Sequence, residues 1–336
     1  MKTICGIGML SVGLLLSACD SPTDPGQGAP ITEAPGTSVP GGSGAAPGNA
    51  FAGRALYVDA WHPANATIAA WRDSRPDDAA LLEGIARTPQ AVWLTGATDD
   101  PARVRGVLDA ADGAGRVPVF VLYNIPARDC GGYSGNGGAA AASGYRGWIA
   151  SIADAMAGRR SLVVLEPDAL ANMDCLSSTG REERVSLIAG AVRALESAAA
   201  AVYLDGGHPR WHDAAETAAR LERAGVREAH GFALNVSNFI GTTENVAYGD
   251  QVSERLGGMG YVIDTSRNGL GAATSGEWCN PPGRALGAAP TLSPDRGNAH
   301  AFLWIKRPGE SDGPCNGGPS AGAWWPEYAV GLAERA

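Results

Sequence analysis

The chain has 336 residues, 45% hydrophobic and 18% charged, with a formal net charge of −9. That length and apolar content fit one large domain or two ordinary ones and exclude a disordered chain. The acidic balance argues against nucleic acid or an anionic membrane surface as the main partner and suits a neutral or cationic ligand.

Residues 1–18 read as an export signal: Lys2 precedes an apolar run too short for a spanning helix, followed by small residues. The end of the run, Leu16-Ser17-Ala18-Cys19, resembles the lipobox of bacterial lipoproteins. That resemblance implies a lipidated Cys19, with acyl chains as the sole membrane anchor. Residues 19–50 are rich in Pro, Gly and Ser and are expected to form a flexible tether. One folded domain is expected over 51–336.

Within it, short apolar runs recur at 55–60, 91–96, 117–125, 162–167, 201–207, 231–237, 261–266 and 301–306. They are nearly continuous in apolar character, as strands buried on both faces should be. Segments with helical spacing lie between them, at 101–114, 144–158, 181–200, 211–224 and 244–257. The alternation predicts a parallel α/β sheet of seven or eight strands, closed or nearly closed into a barrel. A doubly wound open sheet is the rival, and no GxGxxG follows the first strand to support dinucleotide binding.

Setting aside Cys5 and Cys19, an even set remains: Cys130, Cys175, Cys279 and Cys315. In an exported protein this predicts two disulfides, with three pairings open. Neighbour pairing is the simplest; each bond would close a loop of about 40 residues, worth about 4 kcal/mol in the chain-entropy model. No CxxC or HxxxH spacing supports a metal site, and no cofactor is expected.

Polar groups gather where the strands end: Tyr123 and Asn124, Glu166 and Asp168, Asp205 and His208, Asn235 and Asn238, Asp264 and Arg267, Lys306 and Glu310. The carboxyl ends of parallel strands are where α/β proteins build sites. Tryptophan is unusually frequent, nine against five Phe, and Trp61, Trp211 and Trp278 fall in these same connections. Trp faces stack on sugar rings, so acids with Trp point to carbohydrate. Glycoside hydrolysis needs one protonated and one ionised carboxyl group. Asp129, Glu166, Asp168, Asp205, Asp264, Glu310 and Asp312 are all candidates, and spacing does not choose among them.

The wording of the blocks does. Residues 123–130 (YNIPARDC), 164–170 (VLEPDAL), 203–211 (YLDGGHPRW), 231–239 (GFALNVSNF), 262–269 (VIDTSRNG), 277–287 (EWCNPPGRALG) and 303–313 (LWIKRPGESDG) resemble glycoside hydrolase family 6, the inverting cellulases. The blocks follow the family's order across 51–336. The resemblance implies a distorted (β/α) barrel with a substrate cleft over the strand ends. It makes Asp168 the proton donor and has Asp129 keep that donor protonated. It makes Asp312 the proposed base, with a water chain toward Asp129 as the competing idea. Tyr123 would crowd the sugar at the point of cleavage, and Ser134 would hold the water. His208, Trp211, Asn235, Trp278, Lys306 and Glu310 match glucose-binding positions, and Asp205 would support the 206–208 loop. The family's disulfides favour 130–175 and 279–315. Glu166 then reads as a structural acid bonded to neighbouring backbone. The stretch around Trp61 departs from the family's wording, which leaves its role open.

The segments between the paired cysteines are short, where processive members carry insertions that roof the groove. The expectation is therefore a monomeric, exported endo-β-1,4-glucanase acting on β-1,4-glucan. A cellobiohydrolase and a non-catalytic glycan-binding lipoprotein are the alternatives.

Overall fold

In the computed structural model the described residues are 48–135 and 137–336. The export signal, Cys19 and nearly all of the tether lie outside them. Among the described residues no helix is long and apolar enough to cross a membrane.

Seven strands build the sheet: β1 (Val92–Leu94), β2 (Val119–Leu122), β3 (Ser161–Leu165), β4 (Ala200–Asp205), β5 (Gly231–Leu234), β6 (Gly260–Asp264) and β7 (Ala299–Leu303). They lie in chain order and every adjacent pair is parallel. Helices α3 (Asp100–Gly113), α4 (Ala142–Met156), α5 (Ser178–Ser197), α6 (Ala214–Arg223) and α7 (Thr242–Arg255) carry the crossovers. Each overlaps a predicted helix to within a few residues. Helices α1 (Ala64–Trp71), α2 (Pro76–Ala86) and α8 (Pro326–Ala333) have no counterpart among the predicted segments.

The sheet curls until its edges nearly meet. The Ala91 N–H donates to the Trp304 carbonyl at 3.0 Å, and the Trp93 indole donates to the Ile305 carbonyl at 2.9 Å. The predicted first strand at 55–60 shrinks to a single bridge between Leu56 and Val117. After Tyr57 the chain turns away, with the Asp59 carboxylate accepting the Trp61 N–H at 3.2 Å.

Alternate strand residues point to opposite faces. Val121, Val164, Tyr203, Ala233, Val262 and Leu303 fill the barrel interior. Phe120, Leu122, Val163, Leu165, Val202, Phe232 and Ile263 pack outward against the helices. Burial on both faces explains the unbroken apolar runs, and each large side chain so buried contributes about 1.5–3 kcal/mol. The connections that leave β6 and β7 are long, and no helix interrupts the first of them. The bond Cys279–Cys315 ties these two together, and Cys130–Cys175 ties the connections leaving β2 and β3. Both are the neighbour pairings.

Candidate active site

Where a parallel strand ends, the next strand's N–H groups lose their ladder partners and need other acceptors. Three buried carboxylates meet that need. Asp264 takes the N–H groups of Ser266 and Ile305 on one oxygen, and of Ser237 and Lys306 on the other, at 2.9 to 3.2 Å. Asp205 takes the Gly207 N–H at 2.9 Å. Glu166 takes those of Asn124 and Ile125 at 3.0 to 3.1 Å. Burial pushes all three carboxyls above the usual range, against the pull of these donors. None of the three lines the cleft.

Above them lies a cleft of about 1000 Å³. Tyr123, Asp129, Ser134, Asp168, His208, Trp211, Trp278, Lys306, Glu310 and Asp312 all line it, drawn from the ends of five strands and the loops beyond them. The Asp168 carboxyl is pushed up to about 7, first by burial, then by the charges of Asp129 and Asp312, with Lys306 opposing. Its backbone has φ 67°, and that of Asp129 has φ 55°, both left-handed. Such conformations cost of order 1–3 kcal/mol each and collect at functional sites.

Asp129 and Asp312 are each fixed through one oxygen. Asp129 Oδ2 accepts the Ser134 N–H at 2.7 Å. Asp312 Oδ2 accepts from Arg267 Nη1 at 2.9 Å and from the Asn280 N–H at 3.0 Å, while the Asp312 N–H returns a bond to Asn280 Oδ1 at 2.8 Å. Among the described residues Oδ1 of Asp312 has no hydrogen-bond donor, which leaves it free for the cleft. In sequence Arg267 is a strand-end group with no assigned role. The structure makes it the fully buried partner of Asp312, reached across 45 residues of sequence.

The other lining groups surround these acids. The Tyr123 ring is braced edge-on by Trp93 at 5.7 Å, with the Arg128 guanidinium 4.6 Å from its centroid. Burial, and then the charges of Asp168 and Asp129, push its hydroxyl well above the usual phenol range. His208 lies 5.4 Å from Trp211, ring centre to ring centre. Burial, and then Arg210, lower the His208 imidazole to about 4, so it is neutral near pH 7. Burial lowers the Lys306 ammonium, against the charges of Asp312 and Glu310. Glu310 pairs with Arg307. Tyr133 and Trp278, both half-exposed on the two disulfide-tied loops, face each other at 6.1 Å.

Two predicted site residues sit elsewhere. Asp205 lies beneath the floor. Asn235 is fully buried, its amide donating to the Asp264 carbonyl at 2.8 Å and accepting the Ile240 N–H at 3.1 Å. Its side chain is consumed by its own loop. Trp61, whose role the sequence leaves open, lines the cleft and is 59% exposed, with Arg103 and Arg307 at 5.9 and 5.5 Å from its ring. Among the described residues no cluster of His, Cys, Asp or Glu has metal-holding geometry.

Known proteins share this chain's pattern. The sequence profile described as Glycosyl hydrolases family 6 matches residues 51–336. The chain is 45% identical over 285 residues to Endoglucanase A of Cellulomonas fimi, covering 84% of this chain and 61% of that protein. It is 45% identical over 273 residues to Endoglucanase 1 of Streptomyces halstedii, covering 77% of this chain and 83% of the relative. Among solved structures, the endoglucanase Cel6 from Mycobacterium tuberculosis, in complex with methyl-cellobiosyl-4-deoxy-4-thio-β-D-cellobioside, superposes with a TM-score of 0.78. The two are 48% identical, over 85% of this chain and 99% of that one.

Proposed function

The chain belongs to glycosyl hydrolase family 6, and on that premise we propose that it is an endo-β-1,4-glucanase that cleaves with inversion. The observation that carries the reading is the setting of Asp168. It is a cleft-lining carboxyl with two acids acting on it and its pKa pushed up to about 7. A group so placed keeps its proton near neutrality and can give it to a departing glycosidic oxygen.

Inversion needs a water delivered to the opposite face of the sugar, activated by a second carboxylate. Asp312 fills that role, because Arg267 and Asn280 hold one of its oxygens and leave the other for the water. Asp129 raises the donor's proton affinity, and its bond to the Ser134 N–H sets the loop that cradles the water. The Tyr123 ring, held by Trp93 and Arg128, crowds the sugar at the scissile bond and favours a distorted ring. Trp211 and Trp278 supply stacking faces, and neutral His208, Lys306 and Glu310 supply hydrogen bonds. Asp205 and Asn235 act from below, by shaping the loops.

The substrate is a β-1,4-glucan. The two relatives named endoglucanases and the short cysteine loops favour internal cleavage. The disulfides suit an oxidising compartment outside the cytoplasm. Lipidation at Cys19, a tether over 19–50 and a monomeric state complete the proposal. The test is digestion of carboxymethylcellulose or barley β-glucan. Viscosity should fall early relative to reducing ends released, and Asp168→Asn should remove most of the activity. Absence of reducing-sugar release by the wild type would sink the reading.

A further inference from the structure

Glu166 directly follows β3, two residues before Asp168, yet it is buried and does not reach the cleft. Its carboxylate takes the N–H of Asn124 on both oxygens at 3.1 Å and that of Ile125 at 3.0 Å. Arg184, on α5 and equally buried, grips the same loop by its acceptors. Its Nη2 donates to the carbonyls of Pro126 at 2.9 Å and Ala127 at 2.8 Å, while Nη1 donates to that of Ala169 at 3.2 Å. Four successive residues are thus held, two by their donors and two by their acceptors, by one acid and one base.

The loop so held is strained. Ala127, Asp129 and Cys130 have φ of 54°, 55° and 47°, and Glu166 itself has 49°. Such backbone persists only where its surroundings over-determine it. The loop begins beside Tyr123 and ends at Asp129, two of the residues that flank Asp168. The charged and titratable groups facing Glu166 are Tyr145 from α4, Arg128 and Tyr123 from the loop, and Arg184 from α5. Those facing Asp168 are Tyr123, Asp129, Asp312, Lys306 and Asp205.

Building on the glucanase reading, we propose that Glu166 and Arg184 are a positioning pair that sets where Tyr123 and Asp129 stand against Asp168. Glutamine at 166 keeps the size but points an amide N–H₂ at one of the two backbone donors, so the loop shifts. Asp129 then moves relative to Asp168, and the donor holds its proton less tightly.

Glu166→Gln should lower kcat on a soluble glucan by about tenfold to a hundredfold with little change in KM. The alkaline limb of the kcat/KM profile should move to lower pH by about half a unit or more. Titration of the Asp168 carboxyl by ¹³C NMR should show the same displacement without any turnover. Wild-type kcat with an unmoved limb would overturn the proposal, as would a kcat that falls only in proportion to the folded fraction. If Glu166→Gln does not fold, Arg184→Lys keeps the charge, loses the fork and must show the same shift; an unmoved limb there also overturns it. An active wild type beside an indifferent Glu166→Gln refutes this pair alone. A wild type inactive on glucans removes the parent reading and the pair with it.

Discussion

Replacing Asp168 with asparagine should stabilise the protein while silencing it. The carboxyl is displaced from an ordinary 3.8 to about 7 by burial and by the charges of Asp129 and Asp312. Below about pH 4 the group is protonated in both folded and unfolded chains and contributes nothing to pH dependence. Between 4 and 7 the folded state binds the extra proton, so stability declines as pH rises through that window. Above 7 the folded protein carries the full cost of an ionised carboxylate in this setting. About three pK units at about 1.4 kcal/mol each give about 4 kcal/mol, and contact with the open cleft reduces that to about 2–4 kcal/mol. Asparagine has no charge to bury. Thermal unfolding at pH 4 and pH 8.5 measures the difference. The two proteins should melt together at pH 4. At pH 8.5 the variant should melt higher by about 4–16 °C, at about 2–4 °C per kcal/mol for a domain of this size. Its kcat should drop by about a hundredfold or more, the share of a general acid. A variant no more stable than wild type at pH 8.5 would refute the claim that Asp168 is held in a protonated, charge-averse setting.

Arg267→Met strands Asp312 with its ion-pair partner gone, both groups having been buried. Breaking such a pair costs about 3–5 kcal/mol, so the melting temperature should fall steeply and activity with it; an unchanged melting curve would contradict the assigned pairing. Cys279→Ala with Cys315→Ala should cost about 2–4 kcal/mol. It should also depress kcat, because Asn280 beside Cys279 orients Asp312; indifference to the removal would count against that coupling. His208 should titrate near 4 in an NMR pH series, and KM should stay flat from pH 5 to 8. A midpoint near 6.5 would place the ring in a wetter setting than described.

The strands are legible because each is buried on both faces, which leaves an apolar run with nothing to break it. Helices α3 to α7 are legible from spacing. The start of α2 is also written in the sequence, as Pro76 followed by Asp77 and Asp78, a first-turn signal that apolar spacing alone overlooks. The run at 55–60 misleads because a strand needs a partner along its length, and Leu56 has one only at Val117. The site is legible as a set of strand-end polar groups but not as a division of labour. Glu166, Asp205 and Asp264 turn inward to accept backbone N–H groups, while Asp168 lines the cleft. The spacing Glu166-Pro167-Asp168 is silent on that difference; the resemblance of whole blocks separates the two. Asn235 shows the same ambiguity, a strand-end amide spent on Asp264 and Ile240 rather than left for a ligand. Arg267 escapes because its partner is 45 residues away and only folding brings them together.

The most direct test of the account is the anomer of the first sugar released from a soluble mixed-linkage glucan, followed by ¹H NMR from the earliest minutes. A donor at Asp168 and a water activated by Asp312 on the opposite face require the new reducing end to appear as the α-anomer and only later to mutarotate. A product that appears first as the β-anomer would contradict it.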